Sequence, residues 1–428
     1  MQRKSNRCEG KPMKSITQQI IRGRIIEYNP ILKTGIIKDG VAIIPFQLNK
    51  KTTLPLGTLV ILKGHEKDHI FKVATLTKLK EPEINFESWW NKNIKNWQKG
   101  VTDPYRVKLI KQKANLTKTT RAFFEKEGFT EVFTPILNST AGMEPFLDPI
   151  KTSEGWLITS PEYNIKKILP SGIGDVFEIT KSFRGHEENS PHHNTEFTIL
   201  EWYRAYADYT KVMADVEKLV LMLNQSLKHG TNLDYNGIAI DLKSPWMKLK
   251  VNDAFKKWAH IDLNKSQTVP LFKKAIQTAK LNINTKGITD WNDLFYSVFL
   301  NYLEPNLPKN KPVIVYDYPL PQGALAKRKS KNSFWTERFE LYIGGIEIGN
   351  CFSELTNGNE QQKRFEIEQK MRKDLGKEVF AIDRDLIEAL KVGFPPTSGI
   401  AIGLDRLFML LLGLSDLREY LDFPSNQV

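Results

Sequence analysis

Residues 177–206 read FEITKSFRGHEENSPHHNTEFTILEWYRAY. The segment holds three of the chain's seven histidines, His186, His192 and His193, next to Glu187 and Glu188. Imidazoles beside carboxylates are typical of transition-metal sites, of general acid and base chemistry, and of polar contacts around a ligand. The rest of the sequence has to separate these three interpretations.

The size and composition of the chain predict a globular protein. Its 428 residues are 40% apolar, which is enough for a large core and predicts two domains. The longest strongly apolar stretch, 407–414, is too short to cross a bilayer, and the N-terminal MQRKSNRCEG lacks the apolar core of a signal peptide. Cys8 and Cys351 have no partner at disulfide or metal-site spacing. We expect a cytoplasmic protein without a membrane partner.

Positive charge is concentrated at the start of the chain. Residues 1–80 hold 16 Lys and Arg against 5 Asp and Glu, a net charge of +11, while the remaining residues hold 46 against 44. This segregation indicates a surface that attracts an anionic partner, either RNA or an acidic protein. After a basic tail over 1–18, short β-branched runs between Asn29-Pro30, Asp39-Gly40 and further glycines predict a small OB-like β-barrel over 19–80.

The barrel segment contains HEKDH at 65–69, which matches the H-E-x-x-H pattern of zinc proteases. That chemistry requires both histidines on one face of a helix. Gly64 precedes the pattern and the strand-like IFKVATL follows it, so the local sequence favours a charged hairpin turn.

A polar linker over 81–103 leads into the rest of the chain, 104–428. Apolar residues at helical spacings predict a helix over 106–127, ended by Gly128. The following FTEVFTPIL predicts a strand.

Three carboxylates recur in RFELYIGGIEIGNCFSEL, residues 338–355, which alternates as two strands joined at Gly344-Gly345. Glu340, Glu347 and Glu354 lie at intervals of seven. An odd interval reverses the face of a strand, so the three can converge only if a turn or bulge intervenes. Otherwise they are scattered salt-bridge partners of nearby lysines.

The segment SGIAIGLDRLFMLLLGL, residues 398–414, runs from a glycine-rich strand into an apolar helix with Arg406 at its start. A planar cation in that place can stack on an aromatic ring or bind phosphate. The sequence has neither a P-loop nor a G-x-G-x-x-G after a strand, which removes the commoner nucleotide folds.

Taken together, these segments resemble class II aminoacyl-tRNA synthetases. Helix 106–127 with Pro135 looks like motif 1, residues 177–206 like motif 2, and residues 398–413 like motif 3 of the lysine-type enzymes. The resemblance covers about residues 104–428 and implies an α+β catalytic domain, an antiparallel sheet flanked by helices, that forms a homodimer through motif 1. TSPEY, HHNTEFTILEWYR, QQKRFE and LIEALKVGFPPTSGIAIGLDR are most similar to the truncated lysyl-tRNA synthetase paralogues that attach β-lysine to elongation factor P.

The resemblance implies that ATP and Mg²⁺ are used. Arg184 would contact the α-phosphate, and adenine would lie between Phe197 and Arg406. The residues that would bind ATP are Arg184, Glu187, Asn194, Phe197, Glu347, Ile348, Gly403 and Arg406, with Arg184 and Arg406 as the catalytic ones. Glu340 and Glu347 would hold Mg²⁺, which suits hard carboxylate oxygens. The paired histidines would then belong to a nucleotide loop and not to a metal site.

A dibasic amino acid needs two separated anionic contacts, and the resemblance supplies them. Ser160 and Glu162 would lie near the backbone amine. The residues implied near the side-chain ammonium are Glu201, Tyr203, Asn350 and Glu354, with Ala401 beside them. Such a pocket rejects uncharged amino acids because their binding leaves buried carboxylates unpaired. Lysine or (R)-β-lysine is therefore the expected substrate.

The implied reaction makes an aminoacyl-adenylate and then transfers the amino acid, for which the resemblance points to a lysine side chain of elongation factor P. A compact lysyl-tRNA synthetase that charges tRNA and a non-catalytic RNA- or protein-binding paralogue are the alternatives. Ala401 occupies a place where lysyl-tRNA synthetases usually have Gly, whereas an N-terminal barrel is unusual for the modifying paralogues. Motif 2 departs from their pattern at Gly185-His186 and Ser190-Pro191, and Cys351 replaces a common Gly.

Overall fold

The structure is a computed structural model that describes residues 18–90, 94–187, 190–323 and 325–427. Among the described residues, those up to Lys111 form one compact unit and those from Gln112 onward form a second. All but the last residue of the basic tail over 1–18 lies outside the described part of the chain. No described helix is long and apolar enough to cross a membrane.

The first unit is built around a closed five-stranded barrel. Its strands are β1 Gln19–Asn29, β2 Thr34–Asp39, β3 Ala42–Leu48, β4 Leu59–Lys67 and β5 Ile70–Lys80, in the order β1-β2-β3-β5-β4. β1 pairs with both β2 and β4, and a bulge between Ile25 and Glu27 bends it between them. Ile25, Ile37, Val60 and Leu62 are fully buried inside. The predicted OB-like barrel is confirmed.

The HEKDH segment lies at the hairpin between β4 and β5. His65 is part of β4 and pairs with Lys72 of β5. The chain reverses at Asp68 and His69, whose φ angles of 53° and 60° are left-handed. Because the two histidines do not lie on a helix, the hairpin interpretation is confirmed.

Helices follow the barrel. They are α1 Phe86–Trp90, α2 Asn96–Lys99 and α3 Pro104–Lys126. The sequence predicts α3 over 106–127, and the helix begins two residues earlier because proline at the first helical position needs no hydrogen-bond donor. It ends before Gly128, which has a φ of 82°.

A mixed sheet organises the second unit. The strands of this unit are β6 Thr130–Glu131, β7 Leu137–Asn138, β8 Trp156–Leu157, β9 Val176–Phe183, β10 Glu196–Ala205, β11 Asn232–Tyr235, β12 Ile238–Asp241, β13 Met247–Lys250, β14 Val313–Tyr316, β15 Arg338–Ile343, β16 Ile346–Ser353 and β17 Thr397–Gly403. Eight of them form one sheet in the order β13-β14-β15-β16-β17-β10-β9-β6. The central six pair antiparallel, as expected, and the edge strands β13 and β6 are added in parallel.

The strand predicted over 129–137 is much shorter in the structure, where only Thr130 and Glu131 form β6. Beyond it, Thr134 donates its backbone N–H and its hydroxyl to the Glu178 carboxylate, each over 2.9 Å. Pro135 follows and has no N–H to donate. The ladder therefore ends early because a side chain takes the place of the neighbouring strand.

Helices flank this sheet. They are α4 Glu162–Ile168, α5 Tyr209–Ser226, α6 Val251–Ala254, α7 Val269–Thr278, α8 Trp291–Val298, α9 Gly358–Asp374, α10 Arg384–Gly393, α11 Leu404–Leu411 and α12 Leu417–Tyr420. Short 3-10 turns occur at Leu169–Ser171, Leu263–Lys265, Glu304–Asn306, Leu320–Gln322 and Ser425–Gln427, and π turns at Phe255–Ala259 and Phe299–Leu303. α5 packs against β16 and β17, and α11 against β10. A cluster that includes Tyr163, Ile165, Phe365 and Leu386 fixes α4 against α9 and α10.

Candidate active site

Five residues from five strands lie in one row across the sheet. Glu178 pairs with Glu201, Glu201 with Ala401, Ala401 with Asn350, and Asn350 with Glu340. Directly paired residues of neighbouring strands present their side chains on the same face. The sheet therefore places side chains that are more than a hundred residues apart in the sequence along one line.

A bulge brings Glu347 to the face that carries Glu340. Leu341 pairs with Gly349, whereas Tyr342 pairs with Glu347, so Ile348 is an extra residue in β16. The extra residue corrects the odd spacing, and Glu347 lies opposite Tyr342, two residues along the strand from Glu340. The prediction that a turn or bulge must intervene is confirmed.

Three residues of the row, Ala401, Asn350 and Glu340, line a cavity of about 970 Å³. Most of the residues implied by the resemblance line it: Ser160, Glu162, Arg184, Glu187, Asn194, Phe197, Glu340, Glu347, Ile348, Asn350, Ala401, Gly403 and Arg406. Glu201, Tyr203 and Glu354 are not part of the lining and lie buried next to residues that are. The structure thus gathers all the predicted residues in one region of the second unit.

Arg184 and Arg406, two of the arginines that line the cavity, come from distant parts of the sequence. Arg184 follows β9, and its guanidinium lies 5.1 Å from the centre of the Phe197 ring. Its Nε is buried without a hydrogen-bond partner among the described residues. Arg406, in the first turn of α11, donates to the backbone oxygens of Glu347 over 2.6 Å and of His192 over 3.3 Å. A phosphate would supply the acceptor that Arg184 lacks.

The residues predicted to contact adenine contact other protein groups in this structure. The ring of Phe197 is covered by Arg184 and not by Arg406 in this structure. The amide of Asn194 is engaged at both ends, because its oxygen accepts from the N–H and hydroxyl of Ser425 and its nitrogen donates to the backbone of Glu196. The roles of Phe197 and Asn194 toward adenine stay predictions.

The carboxylate of Glu340 is held by three donors. Tyr318 and Tyr342 donate their hydroxyls to Oε2 over 2.6 and 2.7 Å, and Arg338 donates to Oε1 over 2.6 Å. The Arg338 guanidinium lies 4.6 Å from the Tyr318 ring centre, a cation–π contact. Desolvation in the cavity and the neighbouring Glu340 raise the pKa of Glu347 to about 7.

A second group of acidic residues consists of Glu162, Glu201 and Glu354. Glu201 accepts from the hydroxyls of Ser160 and Tyr203, the latter over 3.0 Å. Lys166 of α4 places its ammonium 2.6 Å from Glu162 and 2.5 Å from Glu354. Burial raises the pKa of Glu201 to about 8, with a smaller contribution from Glu162. Burial likewise raises the pKa of Glu354 to about 8, although Lys166 acts against it.

The paired histidines His192 and His193 line the cavity, where their charged forms are disfavoured. Burial and the charge of Arg406 lower the pKa of His193 to about 4 and also lower that of His192. His186 does not line the cavity and has a left-handed φ of 63°. Among the described residues, no group of three His, Cys, Asp or Glu could hold a metal ion. Polar contact around a ligand is the interpretation that fits this geometry.

Sequence reasoning missed several side chains that shape the site. Lys166 and Arg338 neutralise its carboxylates, and Glu144 and Glu368 line the same cavity. A signal was present for the first two. Lys166 lies four residues after Glu162 on one helix face, and Arg338 lies two residues before Glu340 on one strand face. Glu144 and Glu368 come from a loop and a distant helix and had no such signal.

Comparison with known proteins assigns the family. Residues 97–427 match the family model of tRNA synthetases class II (D, K and N). The chain is 34% identical over 353 residues to the lysine–tRNA ligase of Thermoanaerobacter pseudethanolicus (strain ATCC 33223 / 39E), which covers 81% of this chain and 68% of that protein. The lysine–tRNA ligase of Thermoanaerobacter sp. (strain X514) matches with the same identity and coverage. The chain therefore belongs to the class II tRNA synthetase family of the D, K and N type.

Proposed function

We propose that this protein activates lysine or (R)-β-lysine with ATP to give an aminoacyl-adenylate and pyrophosphate. The observation that carries the proposal is the row of side chains across the sheet. It connects Glu201, which is buried next to the cavity, to Asn350 and Glu340 in the cavity wall, where Glu347 also lies. One end has the charge that two ammonium groups require, and the other has the arginines that a triphosphate requires.

The inner acids, which are Glu162, Glu201 and Glu354, would bind the two ammonium groups of the substrate. Glu162 with Ser160 would hold the backbone amine. Glu201 and Glu354, together with Tyr203 and Asn350, would hold the side-chain ammonium. An amino acid with an uncharged side chain would leave buried carboxylates of this group unpaired, so the pocket would reject it strongly.

Arg184 and Arg406 would act on the nucleotide. The substrate carboxylate attacks the α-phosphorus, and pyrophosphate leaves. No side-chain nucleophile is needed, because alignment and stabilisation of the charge on the phosphorus oxygens are sufficient. Arg184, whose buried Nε has no partner among the described residues, is positioned to supply that charge. Glu187, Ile348 and Gly403 would complete the ATP site.

The carboxylate pair, Glu340 and Glu347, fits a divalent cation by the chemistry of its donors. Carboxylate oxygens suit Mg²⁺, which prefers oxygen ligands and shares its coordination with substrate phosphates. Mg²⁺ when bound neutralises charge on those phosphates. Because Arg338, Tyr318 and Tyr342 already engage Glu340, Glu347 is the better candidate for direct contact.

For the acceptor we propose a lysine side chain of elongation factor P, in the cytoplasm. The long motif similarities to the modifying paralogues and Ala401 in the cavity wall support it. Transfer to tRNA is the alternative, favoured by the names of the two relatives and by the closed basic barrel. A non-catalytic role is disfavoured because Arg184, Arg406 and both carboxylates line one cavity.

We also propose a homodimer through motif 1. The segment after α3 exposes apolar side chains that a partner subunit would cover. Phe133 is 80% exposed, and Ile136 and Leu137 are about two fifths exposed.

Two experiments test these proposals in sequence. Lysine-dependent exchange of labelled pyrophosphate into ATP tests activation, and the absence of exchange with lysine and with β-lysine would reject it. Incubation with labelled lysine or β-lysine plus either elongation factor P or tRNA then identifies the acceptor. Label in the protein supports the first acceptor, and label in the RNA supports the alternative.

A further inference from the structure

Lys166 is a buried lysine to which the proposed reaction assigns no role. Its side chain is 5% exposed, and its ammonium contacts Glu162 over 2.6 Å and Glu354 over 2.5 Å. These carboxylates belong to the two different ends of the proposed substrate. One ammonium of the protein therefore joins the two contacts that a dibasic amino acid would make.

The charge of the inner acids can be counted from their contacts. Glu162, Glu201 and Glu354 carry three negative charges when ionised. Glu201 is contacted by the hydroxyls of Ser160 and Tyr203, which are neutral. Among the described residues, Lys166 is the cation in direct contact with this group. The three ionised acids and the Lys166 ammonium together have a net charge of −2. Two substrate ammonium groups would neutralise that charge.

The charged groups around the inner acids do not change this count. Glu144 and Glu368 also face Glu162, but burial raises the pKa of both carboxyls, that of Glu368 to about 8, which disfavours additional negative charge there. The phenols of Tyr163 and Tyr203 face the acids from α4 and β10. Burial raises the pKa of both phenols, and nearby glutamates raise them further, so both stay neutral.

We propose that Lys166 is a positioning residue for substrate selection. Its ammonium supplies the internal positive charge of the inner acids and holds Glu162 and Glu354 in place, so that the pocket presents a net charge of −2 to an amino acid with two ammonium groups. The inference rests on the proposed function and deepens it, because it explains why a pocket with three carboxylates takes a substrate with two amines.

The proton affinity of the pocket makes this role measurable. Burial raises the pKa of Glu201 and of Glu354 to about 8, so proton binding competes with substrate binding at these acids near neutral pH. Substrate ammonium groups bind the ionised form. KM for lysine should therefore fall as the pH rises toward about 8. Burial alone would lower the pKa of the Lys166 ammonium, but Glu162 and Glu354 together raise it, so its charge persists through this range.

The test is the pH dependence of kcat/KM for lysine in the full-length protein, measured by pyrophosphate exchange. Lys166→Met removes the charge and keeps most of the volume. It should move the midpoint of the pH profile of kcat/KM upward by about one pH unit or more, and kcat/KM at neutral pH should fall about tenfold. Lys166→Arg keeps the charge and should restore the wild-type midpoint. Lys167→Met is the matched control, since Lys167 pairs with Asp383 over 2.6 Å and touches none of the inner acids.

A purely structural role would reduce stability and activity without moving the midpoint. An unchanged midpoint in Lys166→Met, or an equal shift in Lys167→Met, overturns the inference. If Lys166→Met does not fold, calorimetry of lysine binding to the wild-type protein in two buffers counts the protons released on binding. Release of about one proton or more near neutral pH supports the inference, and no release overturns it. If the wild-type protein shows no lysine-dependent exchange and no lysine binding, the proposed function itself fails.

Discussion

The carboxylate pair in the cavity wall and the inner acids in and next to that wall are neutralised in different ways. Within the inner acids one buried ammonium, that of Lys166, bridges Glu162 and Glu354. In the carboxylate pair, Arg338 contacts Glu340 over 2.6 Å. Two tyrosine hydroxyls complete the shell of Glu340.

The two cations have different consequences. A lysine ammonium is a compact charge that leaves carboxylate oxygens open to a substrate ammonium, whereas an arginine is a planar fork that fixes the orientation of its partner. Arg338 is further fixed between the rings of Tyr318 and Phe352. The inner acids are thus suited to select a substrate, and the carboxylate pair is suited to hold a rigid position beside the phosphates. Substitutions in the two groups should change different kinetic constants.

The largest effect is expected from Glu354→Gln. The substitution removes a buried charge that faces Lys166 over 2.5 Å. We expect kcat/KM for lysine to fall on the order of 1,000-fold, because breaking a buried charge pair leaves the other charge uncompensated. KM for ATP should change little. Pyrophosphate exchange measures both constants, and a loss confined to the ATP constant would contradict the division between the two groups.

Arg184→Ala should have the next largest effect. Its guanidinium lines the cavity, and its Nε has no partner among the described residues. We expect exchange to slow about a hundredfold or more, with kcat affected more than KM for lysine. Arg121→Ala is the control, because Arg121 makes an exposed ion pair with Glu131. Exchange at the wild-type rate in Arg184→Ala would refute the assignment.

Glu347→Gln should affect the opposite constants from Glu354→Gln. Glu347 reaches the cavity through the bulge at Ile348, and its pKa is raised by burial and by Glu340. We expect the Mg²⁺ concentration for half-maximal exchange to rise about tenfold or more. KM for lysine should stay within about twofold of the wild type. A Mg²⁺ dependence identical to that of the wild type would remove Glu347 from the metal site.

The sequence predicted these elements to different degrees. The barrel was predictable because glycine and proline turns separate its strands at short intervals. The need for a bulge between Glu340 and Glu347 followed from the two-residue period of a strand, and the structure contains it at Ile348. The strand over 129–137 was overestimated because its competitor, the side chain of Glu178, lies 44 residues from Thr134. A local pattern carries no information about such a distant partner.

The neutralising residues of the site show the same limit. Lys166 and Arg338 were close in sequence to acids that had been noted, but a nearby cation becomes informative only when both groups are buried. Glu144 and Glu368 enter the cavity through tertiary packing, from a loop and from α9. Pairing across the sheet also decides that Glu201, Ala401 and Asn350 are neighbours. Strand register across a crossover is a property of the fold and not of any segment.

The smallest effect, and the finest test of the inner acids, is expected from Ala401→Gly. Ala401 pairs with Glu201 on one side and Asn350 on the other, and its methyl group lines the cavity between them. α-Lysine branches next to its carboxylate, whereas β-lysine branches one carbon further away. Removing one methyl should therefore shift the preference toward α-lysine by about tenfold, since one methyl is worth about 1–3 kcal/mol in a pocket. The measurement is kcat/KM for both isomers.

Ala205→Gly removes a methyl at the end of the same strand pair, outside the cavity lining, and should leave the ratio unchanged. An equal shift in both variants would mean that sheet stability, and not the space between the two anionic contacts, sets the preference.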